Sequence, residues 1–135
     1  MAVARRRRLV LIGPAVALAL LVVAAALFLR RDDSPPDAFT NRSPLPSCGT
    51  VTAGAGSQCL TAAMGTGAGA ELTVTSVTTE GDPIVAYYRA VPGRPGLEVF
   101  TDSTKDKFSG TGWSYARCPQ ASGIDSLGSC SEKNL

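Results

Sequence analysis

Histidine is absent from the 135 residues, and with it goes every catalytic dyad or triad that uses imidazole as its base. A serine nucleophile would need lysine or another group in that role. No Cys-x-x-Cys pair occurs either, and without histidine the usual zinc patterns lose both kinds of ligand spacing. A phosphate-cradling glycine loop is missing too. Gly65, Gly67 and Gly69 alternate, but they follow a helical pattern and precede a strand, the reverse of the nucleotide fingerprint. They read as a flexible link. Aromatic residues make up only 6% of the chain, and there is no internal repeat. No cofactor or metal is expected.

Basic charge is scarce wherever a nucleic acid would need it. Of thirteen Lys and Arg, six stand at positions 5 to 8, 30 and 31, flanking an apolar run. Residues 32–135 keep seven basic groups against all eleven acids, a net charge of −4 beneath the overall +2. A nucleic-acid partner needs a basic footprint on the domain itself, so none is expected.

What the chain does have is a long uncharged stretch. Leu9 to Leu29 are 21 residues without a charge, and a helix of that length measures about 31 Å, matching a hydrocarbon core of about 30 Å. Ala24, Ala25 and Ala26 offer a small-residue cleavage site of the secretory kind. Against cleavage, Leu27, Phe28 and Leu29 continue the run, and Arg30 and Arg31 close it with a second charged flank. We read 9–29 as a retained transmembrane signal-anchor in contact with the lipid bilayer. Pro14 bends such a helix without preventing insertion. Four arginines before the run outweigh two after it, which places the tail 1–8 in the cytoplasm and the rest outside. Cys48 stands too far beyond the run to be a lipidated cysteine.

All four cysteines, Cys48, Cys59, Cys118 and Cys130, fall in the part expected to be exported, where disulfides persist. Two bridges are expected, in any of three connectivities. A domain this small is often marginal without such staples. Residues 30–46 carry prolines at 35, 36, 44 and 46 and read as a semi-rigid tether. The sequon Asn41-Arg42-Ser43 is followed by Pro44 and is taken as chance. Residues 47–135 form the extracytoplasmic domain. Ser57 opens a short helix that ends at the glycines after Met64. Residues 71–79, 84–91, 97–101 and 113–118 read as four strands, separated by the turns Glu80-Gly81-Asp82-Pro83 and Pro92-Gly93-Arg94-Pro95-Gly96 and by a polar connection. Short links favour antiparallel neighbours, which predicts an α+β fold: a four-stranded meander, one helix, and a polar tail left as loop, pinned at Cys130.

The strings EGDPIVAYYR, LEVFTDSTKDKFSG and WSYARC, with QCLTAAM upstream, resemble small domains found behind signal or anchor segments in high-GC Gram-positive bacteria. The similar stretch covers residues 59–118. The resemblance implies that Cys59 pairs with Cys118 and Cys48 with Cys130. It adds fold and topology, and brings no activity with it.

Two functions compete. Tyr87, Tyr88, Arg89, Trp113 and Tyr115 include most of the aromatics; neighbours in a strand point to opposite faces, so some of them are candidates for a binding surface, while others fill the core. That favours a non-enzymatic binding or interaction module at the cell envelope, holding a protein, peptide or cell-wall component. The alternative is a carboxylate-based hydrolase or calcium-dependent module around Asp102 and Asp106, helped by Glu80 and Asp82. It requires those carboxylates to converge. Lys105 and Lys107 interleave with them, and such clusters commonly bond their own backbone in turns.

Overall fold

The computed structural model describes residues 16, 19, 21–22, 33–53, 56–108 and 112–135. The chain divides into two compact units, Met1–Asp32 and Asp33–Leu135. Of the first, Val16, Ala19, Leu21 and Val22 are described, all helical and exposed. Among the described residues no helix is long and apolar enough to cross a membrane, and the span expected at 9–29 otherwise lies outside them.

The second unit is built on one six-stranded mixed sheet in sequence order, β1 (Ser47–Thr52), β2 (Ala70–Val77), β3 (Pro83–Ala90), β4 (Leu97–Asp102), β5 (Trp113–Cys118) and β6 (Ser131–Asn134). A single turn of helix, α1 (Asp37–Thr40), precedes the sheet, and α2 (Gln58–Thr66) lies between β1 and β2. This corrects the expected four-stranded meander. The four inner strands form close to their expected bounds and pair antiparallel. β1 adds a parallel edge beside β2, because the helix between them carries the chain back to the starting end of the sheet, as a crossover must. Its sequence SCGTVT, with a glycine inside and a bulge between Ser47 and Thr50, offers little strand signal. At the other edge β6 pairs antiparallel with β5. SEKN has no apolar face at all, and all four residues are exposed. What holds it is the backbone ladder and the neighbouring Cys130, with charged side chains blunting the free edge.

Local alternation explains the core. Leu72 and Val74 on β2, Ala90 on β3, Val99 and Leu97 on β4 and Cys118 on β5 face α2, whose Leu60 is fully buried against them. Ala121, Ile124 and Leu127 of the β5–β6 connection extend that layer. α2 begins after Ser57 as expected and ends at Gly67, whose φ of +70° suits a residue without a β-carbon. Gly96 is a second necessary glycine: at φ +74° any β-carbon would run into the Cys118 carbonyl and Pro119, so β4 could not start beside the end of β5.

The disulfides join Cys48 to Cys59 and Cys118 to Cys130, not the pairs that the resemblance implies. The strand order puts the second of those pairs, Cys48 with Cys130, out of reach. Cys48 lies on β1 and Cys130 just before β6, five strand spacings apart, about 24 Å along the sheet at about 4.8 Å each. A bridge requires Cα atoms within about 7 Å. Each actual bridge closes a short local loop, tying β1 to α2 and β5 to β6.

The stretch expected to be a tether belongs, from Asp33 onward, to the folded unit. Phe39 of α1 is buried, and Arg42 is ion-paired to Glu71. This segment covers the sheet face opposite α2, which is why four successive residues of β4, Leu97 to Phe100, are all buried.

Candidate functional site

The face under α1 is organised in transverse rows, because residues opposite one another across neighbouring strands share a face. In the first row Glu71, Arg89, Glu98 and Arg117 stand in register on β2 to β5, four charges of alternating sign. Arg89 is buried. Its Nε donates to Glu71 Oε2 at 2.9 Å, one terminal nitrogen to Glu98 Oε2 at 3.3 Å and the other to the Ser43 carbonyl. A buried guanidinium is tolerable only when so paired. Arg42 forks onto the same Glu71, with Nε and a terminal nitrogen each 2.9 Å from a carboxylate oxygen, and also donates to the Phe39 carbonyl at 2.8 Å. These bonds hold the Glu71 carboxyl below the usual carboxylate range, the hydrogen bonds from Arg42 being the main cause and Arg89 adding to them. Arg94, from the turn before β4, donates to Glu98 Oε1 at 2.6 Å. Arg117 donates to the carbonyls of Leu97 and Pro95.

The second row carries Tyr87, Phe100, Tyr115 and Lys133. Phe39 descends onto it from α1, its ring centroid 4.6 Å from those of Tyr87 and Trp113 and 5.4 Å from that of Phe100. The Arg42 guanidinium lies over the Phe39 ring, 3.6 Å from its centroid. Lys133 Nζ sits 5.4 Å from the Tyr115 ring centre.

Between the segment 38–45 and the sheet lies a cavity of about 630 Å³. Arg42, Arg94 and Lys133 line it with Glu98, Phe100 and Tyr115. The buried Arg89 also contributes to its wall. Three of those four cations, Arg42, Arg89 and Arg94, are ion-paired to two carboxylates, Glu71 and Glu98, and among the described residues Lys133 makes no ion pair. Five of the seven basic residues that follow position 32, Arg42, Arg89, Arg94, Arg117 and Lys133, are gathered at or beside this cavity.

The residues expected to form a binding surface are divided between faces. Tyr88 lies on the α2 side, packed against the main core, and burial raises its hydroxyl above the ordinary tyrosine value. Tyr87, Arg89, Trp113 and Tyr115 share the α1 side. There Trp113 is buried under Phe39, its indole N–H lacking a hydrogen-bond partner among the described residues. Arg89 is enclosed by its partners. Tyr115 reaches the cavity.

The carboxylates of the alternative reading are spent locally. Asp102 Oδ1 accepts from the Thr104 amide at 2.9 Å and its hydroxyl at 2.7 Å, and Asp106 Oδ1 accepts from the Phe108 amide at 2.9 Å. Asp82 does reach this loop, but its oxygens receive the Lys107 amide and ammonium, each at 3.0 Å. The backbone bond is the first cause that holds its carboxyl low. Glu80 is exposed on its turn. Among the described residues no three Asp, Glu or Cys side chains converge as a metal site would require.

Sequence reasoning passed over Phe39, Arg42, Arg94 and Lys133, because the segments carrying them read as tether, turn and tail. It also passed over Glu71 and Glu98. A signal for the charge row existed: one charged residue inside each of four successive strand patterns, which antiparallel pairing brings into line. No family model, curated protein or solved structure matches the chain.

Proposed function

We propose that the chain is a membrane-anchored, non-enzymatic binding module of the bacterial cell envelope, with residues 9–29 in the bilayer and the domain outside, and that its ligand occupies the cavity between the segment 38–45 and the sheet. The cavity carries this reading: at about 630 Å³ it falls within the range of roughly 300 to 1,000 Å³ usual for ligand sites, and it joins a few directed polar groups to an aromatic wall. The exported setting is supported by the apolar run with its asymmetric basic flanks and by two disulfides. The resemblance to exported domains of high-GC Gram-positive bacteria points the same way. The carboxylate-hydrolase and calcium readings are not proposed, because Asp82, Asp102 and Asp106 accept backbone N–H groups in the turns they stabilise.

The test is a fragment screen on the isotope-labelled full chain, read by amide chemical shifts. Shift changes should concentrate at Arg42, Arg94 and Tyr115. Hits scattered over the surface, or gathered on the loop 102–108, would overturn the assignment.

A further inference from the structure

The cavity's charge selects a class of ligand. Arg42, Arg89, Arg94 and Lys133 stand against Glu71 and Glu98, an excess of two positive charges in a domain whose overall balance is negative. The excess is not evenly placed. Arg89 and Arg42 are tied into the Glu71 carboxylate, with Arg89 itself buried. Among the described residues Lys133 has only the Tyr115 ring beneath it, and Arg94, held by a single bond to Glu98, keeps 62% of its side chain exposed. Two cations from different elements, the turn before β4 and the last strand, thus meet at one cavity with donors to spare. Guanidinium and ammonium groups are strong donors to oxyanions. A single carboxylate would leave one positive charge unmatched, whereas a phosphate monoester, at about −1.5 to −2 near neutral pH, balances both.

We propose, resting on the reading of this cavity as a ligand site, that it binds a phosphate monoester group, with Arg94 and Lys133 as the contacting residues and the Tyr115 ring as the wall for the remainder of the ligand. The group can come from a soluble phosphate ester or from a phosphatidic-acid headgroup, since the contacts are the same.

The experiment uses the full chain with both disulfides intact, in a zwitterionic detergent at constant ionic strength. Inorganic phosphate is titrated against the labelled protein, with sodium chloride as the control. Saturable shifts are expected at Arg94, Tyr115 and Lys133. In R94Q/K133Q, and more weakly in K133Q alone, affinity should fall by about tenfold or more, the loss expected for charge-assisted contacts. Both side chains are exposed, and an unchanged non-reduced mass and circular dichroism spectrum will show that the variants fold. A short-chain phosphatidic acid then separates the sources: binding clearly tighter than inorganic phosphate marks a lipid headgroup, and equal binding a soluble ester, each supporting the proposal. Shifts no larger than those of chloride, or unchanged in R94Q/K133Q, overturn it. If neutral fragments still perturb the cavity in that case, the binding reading stands and only the phosphate inference falls. If they do not, both fall.

Discussion

Glu71 is the residue on which the α1 face turns, because it is shared by Arg42 from the segment before the sheet and Arg89 from the strand beside it. Replacing it by glutamine, Glu71→Gln, leaves Arg89 buried with one carboxylate fewer and should cost about 2 kcal/mol at neutral pH, the usual penalty for removing one partner of a buried polar group. The pH dependence has a definite sign. The folded-state pKa of Glu71 lies below its ordinary 4.5, so its contribution is complete above that value and is lost as pH falls through the lower folded value. Urea midpoints at pH 7 and pH 3 should show the wild type and Glu71→Gln converging under acid. An equal gap at both pH values would mean that the carboxylate is not what Arg42 and Arg89 require. The charge itself was visible in the sequence as a single acid at the start of a Thr/Val-rich strand. Its meaning was not, since partners 29 and 18 positions away become neighbours only once the strands pair and the segment before them folds back.

Among the elements, the edges of the sheet depend most on tertiary context. β6 has four exposed polar residues, and an isolated strand of that kind has nothing to bury. Its place beside β5 is secured by the Cys118–Cys130 bridge, which closes a loop of 12 positions and should contribute about 3 kcal/mol by limiting the unfolded chain. The paired replacement Cys118→Ser/Cys130→Ser should lower stability by about that amount and raise the amide exchange of Glu132 and Lys133 well above that of β2 and β3. Uniform exchange across the sheet would mean that the bridge supports the fold as a whole and not this edge. Inner strands were legible because alternation and turn residues are local properties: Pro92-Gly93 and Gly81-Asp82-Pro83 mark where the chain must reverse. The β1 edge was illegible, because a parallel neighbour is decided by the crossover through α2 and not by SCGTVT itself.

For the molecule as a whole, the question that governs function is where the unit Asp33–Leu135 resides. The apolar run and its arginines lead us to expect a membrane-bound species that retains the N-terminus, with four hydrogens fewer than the reduced chain because two bridges have formed. The non-reduced intact mass from the membrane fraction of the native host checks both points. A shorter soluble species beginning near Leu27 would make the run a cleaved signal and the ligand a diffusible one. By itself the sequence determined the inner strands, the helix after Ser57, the pairing of all four cysteines within a folded unit and the exclusion of imidazole chemistry, since each follows from composition or from spacing within a few residues. The tertiary structure alone decided the sheet's two edges, which cysteine joins which, the folding of the Pro-rich segment onto the sheet and the gathering of five scattered cations around one cavity. Those depend on pairing between strands distant in the chain, where backbone hydrogen bonds and burial set the neighbours and no local pattern records them.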